Sequence, residues 1–153
     1  MPSTFFFHAF TNLTMKYIQR LFLALTLALG SLAAPAWAGD TDPLFINLTT
    51  DEPHRASMGL TFGQHQHENG HPLTIFLNDK GVLLGAKAHA DKYAAQQKML
   101  EALTKQGAVV LVCPMCMKHY GVAEADLLPG LQPSNRKLSG DALFSGNTRS
   151  LTW

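Results

Sequence analysis

The run Val109-Val110-Leu111-Val112-Cys113-Pro114-Met115-Cys116-Met117-Lys118-His119-Tyr120-Gly121 constrains this chain more than any other. Four consecutive apolar residues, three of them valine, predict a strand buried on both faces. Pro114 suits the first position of a helix, because its missing N–H would be unpaired there anyway. Cys113 is then the N-cap, and Gly121, with easy access to the left-handed region, is the stop. The chain's only two cysteines thus stand at a helix start, where unpaired backbone N–H groups and the macrodipole favour a thiolate. The expectation is a lowered thiol pKa.

The N-terminus is set apart from this core. Lys16 and Arg20 form a short basic region, Leu21 to Leu32 is a mostly apolar run too short to span a membrane comfortably, and Ala36-Trp37-Ala38 has the A-x-A form of a cleavage site. Met15 to Ala38 reads as a secretory signal peptide cleaved after Ala38, with residues 1–14 as an extension and Met15 as an alternative start; an uncleaved anchor is the competing reading. The expected location is therefore the periplasm. Residues 39–153 are of a length for one domain and not two, and without the two basic residues of the signal their ten Lys and Arg stand against eleven Asp and Glu. There is no basic stripe for nucleic acid, and beyond the signal no apolar run long enough to span a bilayer. In an oxidising compartment a Cys-x-x-Cys pair can be a disulfide, a dithiol kept reduced by a partner, or a metal site. A ring that small restricts the unfolded chain little, so a purely structural disulfide is the weaker explanation.

Strand and helix signals alternate along residues 39–153. Leu44 to Thr49 reads as a first strand, with Thr50 or Asp51 as N-cap of a helix over about Glu52 to Gln66. In that helix Ala56, Leu60 and Gly63 fall at helical spacing, with Met58 and Phe62 read as core beside them, and Gly70 follows as a stop. Leu73 to Leu77 is a second strand, ending in the turn-like Asn78-Asp79-Lys80-Gly81; Val82 to Gly85 is ambiguous. From Asp91 a helix places Tyr93, Ala94, Met99, Leu100 and Leu103 near one face and leaves Lys92, Gln96, Lys98 and Lys105 to water, with Gly107 closing it. Ala108 to Val112 is the third strand. Beyond Glu124 the chain is rich in turns, with room for a short extended piece, a small helix around Asp141 to Phe144 and a last strand at Arg149 to Trp153. This alternation predicts an α/β fold with helices on both faces of a mainly parallel sheet of about five strands. Ligands in such sheets collect at the carboxyl ends of the strands. Cys113 is at such an end, and Asn78 to Gly81 is a candidate wall on the same rim.

Asp51-Glu52-Pro53-His54-Arg55-Ala56, Gly70-His71-Pro72-Leu73-Thr74-Ile75-Phe76-Leu77, Gly81-Val82 and Leu127-Leu128-Pro129-Gly130, with Cys113 placed eight residues ahead of Gly121, resemble the DsrE/DsrF-like family of small α/β proteins of sulfur metabolism and relay. The resemblance implies a three-layer α/β/α fold and homo-oligomers, commonly trimers or hexamers. In relay members the cysteine after the third strand carries a persulfide, a role the resemblance brings to Cys113 only. This chain differs from many relay members in having Cys116 and in having Tyr120, not Arg, before the glycine.

Three functional classes are open. In the first, Cys113 handles sulfur or redox equivalents and Cys116 resolves the loaded state by closing a disulfide, with a sulfur donor, sulfur acceptor or thiol protein as partner and no cofactor; the protein is a carrier or transferase more than a turnover enzyme. In the second, Cys113, Met115, Cys116, Met117 and His119 form a soft set for Cu(I), or bind zinc with His65, His67 or His71 completing the site. His65 and His67 do not share a helix face, however, and read as exposed residues near a helix C-terminus, while His71 belongs to the strand entry. The third is a non-catalytic interaction protein whose thiols are incidental. A thioredoxin fold fits poorly, since its motif follows an early strand and here little regular structure remains after the third. No phosphate loop, paired-carboxylate signature or Ser-His-Asp arrangement is present.

Overall fold

The computed structural model describes Gly39 and residues 41–153; the signal-peptide reading of Met15 to Ala38 lies outside them. The elements run β1 (Leu44–Leu48), α1 (Pro53–Glu68), β2 (Leu73–Leu77), two 3-10 turns (Asp79–Gly85 and Lys87–His89), α2 (Ala90–Lys105), β3 (Val109–Val112), α3 (Pro114–Tyr120), a 3-10 turn (Glu124–Asp126), β4 (Leu131–Pro133), α4 (Arg136–Phe144) and β5 (Arg149–Thr152). All five strands are parallel, in the order β4-β3-β2-β1-β5. The expected α/β class is observed, and the sheet is wholly and not just mainly parallel.

The strand order explains the layers. From β1 to β4 each connection steps across the sheet in one direction, so right-handed crossovers place all the intervening helices on one face. The return from β4 to β5 crosses β3, β2 and β1 in the opposite direction, and the same handedness sends α4 to the other face. Alternation along the strands sorts the side chains accordingly. Leu44, Ile46, Leu48, Leu73, Ile75, Leu77, Val110 and Val112 pack with Leu60, Leu100 and Leu103 into the main core under α1 and α2. Phe45, Asn47, Phe76 and Leu111 face the other way, where α4 buries none of its residues. One nine-residue helix, about 10 Å across, covers only about two strands at 4.8 Å spacing. A cavity of about 570 Å³ is left between α4 and the strands.

Several local expectations are corrected. Glu52, not Thr50 or Asp51, caps α1, its carboxylate accepting from the N–H groups of His54 at 3.0 Å and Arg55 at 2.6 Å, with Pro53 at the first helical position. Gln96 is buried, because its amide donates to Pro53 O at 3.0 Å and Ser57 Oγ at 2.8 Å where α1 and α2 cross. Ala94 is exposed instead; the buried stripe of α2 runs Tyr93, Gln96, Gln97, Leu100, Leu103. Met58 is 54% exposed and Phe62 38% exposed, so neither belongs to the core. Phe62 lies against Trp153 with ring centroids 5.6 Å apart, so the C-terminal tryptophan packs on α1. Val82 to Gly85 belongs to the 3-10 turn, packed so closely on β1 that a Cβ on Gly81 would stand 2.1 Å from Leu48 O.

Candidate functional site

The backbone ladder brings two strand ends together. Cys113 N–H donates to Leu77 O at 3.0 Å and Asn78 N–H to Leu48 O at 2.9 Å, so Cys113 and Asn78 leave adjacent central strands side by side. Cys113 is extended, at φ −66° and ψ 113°, and caps α3 with its sulfur, which accepts the Cys116 N–H at 3.3 Å. Pro114 occupies the first turn, and Gly121 ends the helix in the left-handed region at φ 70°. These features follow the local reading of the sequence. Both cysteines are free; Cys113 is buried and Cys116 half-buried.

The electrostatics of Cys116 depart from it. Its S–H donates to Asn78 Oδ1 at 3.0 Å, and the Asp79 N–H lies 3.3 Å from its sulfur. The same Asp79 N–H donates to Asn78 Oδ1 at 2.8 Å, and Asp79 holds a left-handed conformation at φ 46°. Short polar side chains tolerate that region. Tyr120 OH in turn donates to Asp79 Oδ1 at 2.5 Å. Burial, then the Cys113 sulfur beside it, pushes the Cys116 thiol up to about 11, outweighing the lowering by the Asp79 N–H. The lowered pKa expected there is therefore corrected: desolvation and a neighbouring sulfur prevail over one turn of helix. The Asp79 carboxylate likewise raises the Tyr120 phenol to about 12.

Of the expected wall, Asn78 and Asp79 touch the Cys116 thiol through these bonds. In the sequence Tyr120 stands out only as a departure from a family pattern, and nothing local signals its bond to a residue 41 positions away. The other soft donors are not gathered. Met115 is 79% exposed, Met117 is buried in the main core, and His119 lies edge-on to Tyr120 at 4.7 Å. His65 is exposed. The His67 ring nitrogens are each 3.1 Å from a carbonyl, of His71 and Gln106, and His71 Nδ1 is 2.8 Å from Asp42 O. His67 is thus a bridge between α1 and the turn after α2, not the solvated residue expected. Among the described residues no three His, Cys, Asp or Glu side chains come together in a way that could hold a metal.

Sequence reasoning also missed Asn47 and Arg136, which line the cavity under α4 together with Asn78. Asn78 is shared, with its Oδ1 serving the thiol. The chemistry available at the rim is therefore that of two unlike sulfurs: both accept a backbone N–H, and Cys116 alone is also held as a protonated donor.

Similarity to known proteins agrees with this architecture. The ychN protein of E. coli superposes with a TM-score of 0.61 at 20% identity, over 74% of this chain and 99% of that one. A protein of unknown function, MTH1491 of Methanobacterium thermoautotrophicum, does so with a TM-score of 0.59 at 12% identity, over 73% and 99%. At these identities the likeness shows the fold alone. No curated protein matches. The sequence pattern of the DsrE/DsrF-like family matches residues 44–145, which include β1 to β4, α1 to α4 and both cysteines, and the chain belongs to that family.

Proposed function

We propose that this protein is an exported, homo-oligomeric sulfur carrier that loads sulfane sulfur on Cys113 and uses Cys116 as the resolving thiol. The observation that carries the reading is the asymmetry of the pair. Each sulfur accepts one backbone N–H at 3.3 Å, but only the Cys116 S–H is tied to a side-chain acceptor, Asn78, and its pKa is pushed up to about 11. Two such sulfurs act in sequence. The Cys113 thiolate attacks the outer sulfur of a donor persulfide, forming Cys113–S–SH and releasing the donor as a thiolate. An acceptor thiolate then takes the outer sulfur and leaves Cys113 as a thiolate. When no acceptor is docked, Cys116 attacks the inner sulfur; a disulfide forms, hydrosulfide leaves with the Cys116 proton, and a dithiol reductant restores the pair. Family membership supports the sulfur class, and the strand-end rim leaves the half-buried Cys116 within reach of a docked partner.

Intact-mass spectrometry after exposure to polysulfide tests this. Wild type should gain about 32 Da, one sulfur atom, which fragment ions of the peptide 106–118 should place on Cys113. Cys116→Ser should retain the adduct longer, and Cys113→Ser should gain none. An adduct that survives in Cys113→Ser overturns the assignment. Copper or zinc retained at about one per chain, with both thiols protected from alkylation until it is stripped, favours the soft-metal reading instead.

A further inference from the structure

We propose that the cavity between α4 and the open sheet face is a binding site for a small anionic amphiphile: an apolar body bearing one hydrogen-bond donor and an acidic group. Its volume of about 570 Å³ is in the range of small-molecule sites. Phe45 and Phe76, with ring centroids 6.2 Å apart, form an aromatic floor on β1 and β2, and Leu143 and Phe144 of α4 line the opposite side. Phe144 is 82% exposed, a poor position for a side chain whose only role is packing.

Two polar features define the occupant. Asn47 Oδ1 is buried on the floor with no protein donor in reach, the one buried side-chain oxygen or nitrogen so placed among the described residues. A buried acceptor of this kind asks for an N–H or O–H from whatever fills the space. Arg136 is the only charged residue in the lining and makes no ion pair among the described residues. It opens α4 just beyond β4, at the carboxyl edge of the sheet, so the acidic end of a ligand is held there and the apolar body extends down toward Phe45 and Phe144. Asn78 lines the same cavity and receives the Cys116 S–H, so one shared residue joins this site to the Cys116 thiol. Binding itself involves no sulfur chemistry, so the site stands independently of the carrier reading.

The test uses 8-anilinonaphthalene-1-sulfonate, which has an aromatic body, one N–H and one sulfonate and fluoresces on leaving water, alongside N-phenyl-1-naphthylamine, which lacks the sulfonate. Purified wild type should bind about one sulfonate probe per chain, and the Cys113→Ser/Cys116→Ser double variant should bind it equally. Arg136→Gln should weaken the sulfonate probe at least about fivefold and leave the neutral probe unchanged. Gly140 lines the cavity and a Cβ there meets no atom within 4 Å, so Gly140→Leu should fill the space, abolish binding of both probes and keep a cooperative melt. Ser139→Leu, at the neighbouring lining position, is the second filling variant should that melt be lost. No saturable binding to wild type, binding that survives both filling variants, or equal weakening of both probes by Arg136→Gln overturns the proposal.

Discussion

The raised pKa of Cys116 has a measurable kinetic signature. At pH 8 a thiol with the ordinary value of 9.0 is about one-tenth thiolate, whereas one held at about 11 is about one-thousandth, a hundredfold deficit. A more basic thiolate is also more nucleophilic, and with a Brønsted slope of about 0.4–0.5 two pKa units return roughly tenfold. Iodoacetamide should therefore modify Cys116 about tenfold more slowly in the folded protein than in urea at the same pH, with a midpoint near pH 11 in place of pH 9. Fragment-ion spectra separate Cys116 from Cys113, which share the tryptic peptide 106–118. The midpoint matters as much as the rate, because steric shielding slows alkylation without moving it. Asn78→Ala opens the packing over the Cys116 thiol to water and relieves the burial that is the largest cause of its shift, so the midpoint should fall toward 9.0 and the rate at pH 8 should rise several-fold. A wild-type Cys116 that titrates at or below 9.0, or that reacts at pH 8 at least as fast as in urea, refutes the reasoning.

Three further outcomes follow from the geometry. Gly81→Ala forces a methyl against Leu48 O, itself the acceptor of the Asn78 N–H, and should cost about 3 kcal/mol, read as a lower urea midpoint at unchanged slope. Tyr93→Phe removes the 2.6 Å hydrogen bond to Asp51, the largest cause of that carboxylate's lowered pKa, and should cost about 1 kcal/mol at pH 7. Because the folded-state pKa lies below the ordinary 3.8, the wild-type advantage is present above that value and should shrink as pH falls through the folded-state pKa, which urea melts of both proteins at pH 7 and at descending pH below 3.8 would follow. Gly59→Ala places a Cβ 3.1 Å from the Trp153 ring and should push the indole toward water, red-shifting its emission at a cost of about 1 kcal/mol; an unchanged spectrum would deny the packing of Trp153 on α1.

What could be read directly from the residues was local. The β3 strand, the Cys113 cap, Pro114 in the first turn and Gly121 in the left-handed region all follow from hydrophobic runs, ring closure and backbone sterics within a few residues, and those determinants act the same way in any fold. Strand and helix alternation was enough for a parallel α/β sheet, because a right-handed crossover is the usual way to join such strands. Helix faces were less legible: Gln96 reads as a solvent residue until Pro53 and Ser57 arrive to satisfy its amide, and Met58 reads as core until the fold leaves it outside. The character of the site was decided by tertiary structure alone. Asn78 and Asp79 act on Cys116 from the end of β2, Tyr120 reaches back from α3 to hold Asp79, and the sign of the Cys116 pKa shift depends on burial, which no spacing of cysteines encodes. The cavity with Asn47 and Arg136 arises because a single returning helix is too narrow for the face it must cross, a consequence of strand order and not of any one segment. Backbone preference and hydrophobic period belong to a residue and its neighbours in sequence, whereas desolvation and long-range partners exist only once the whole chain has packed.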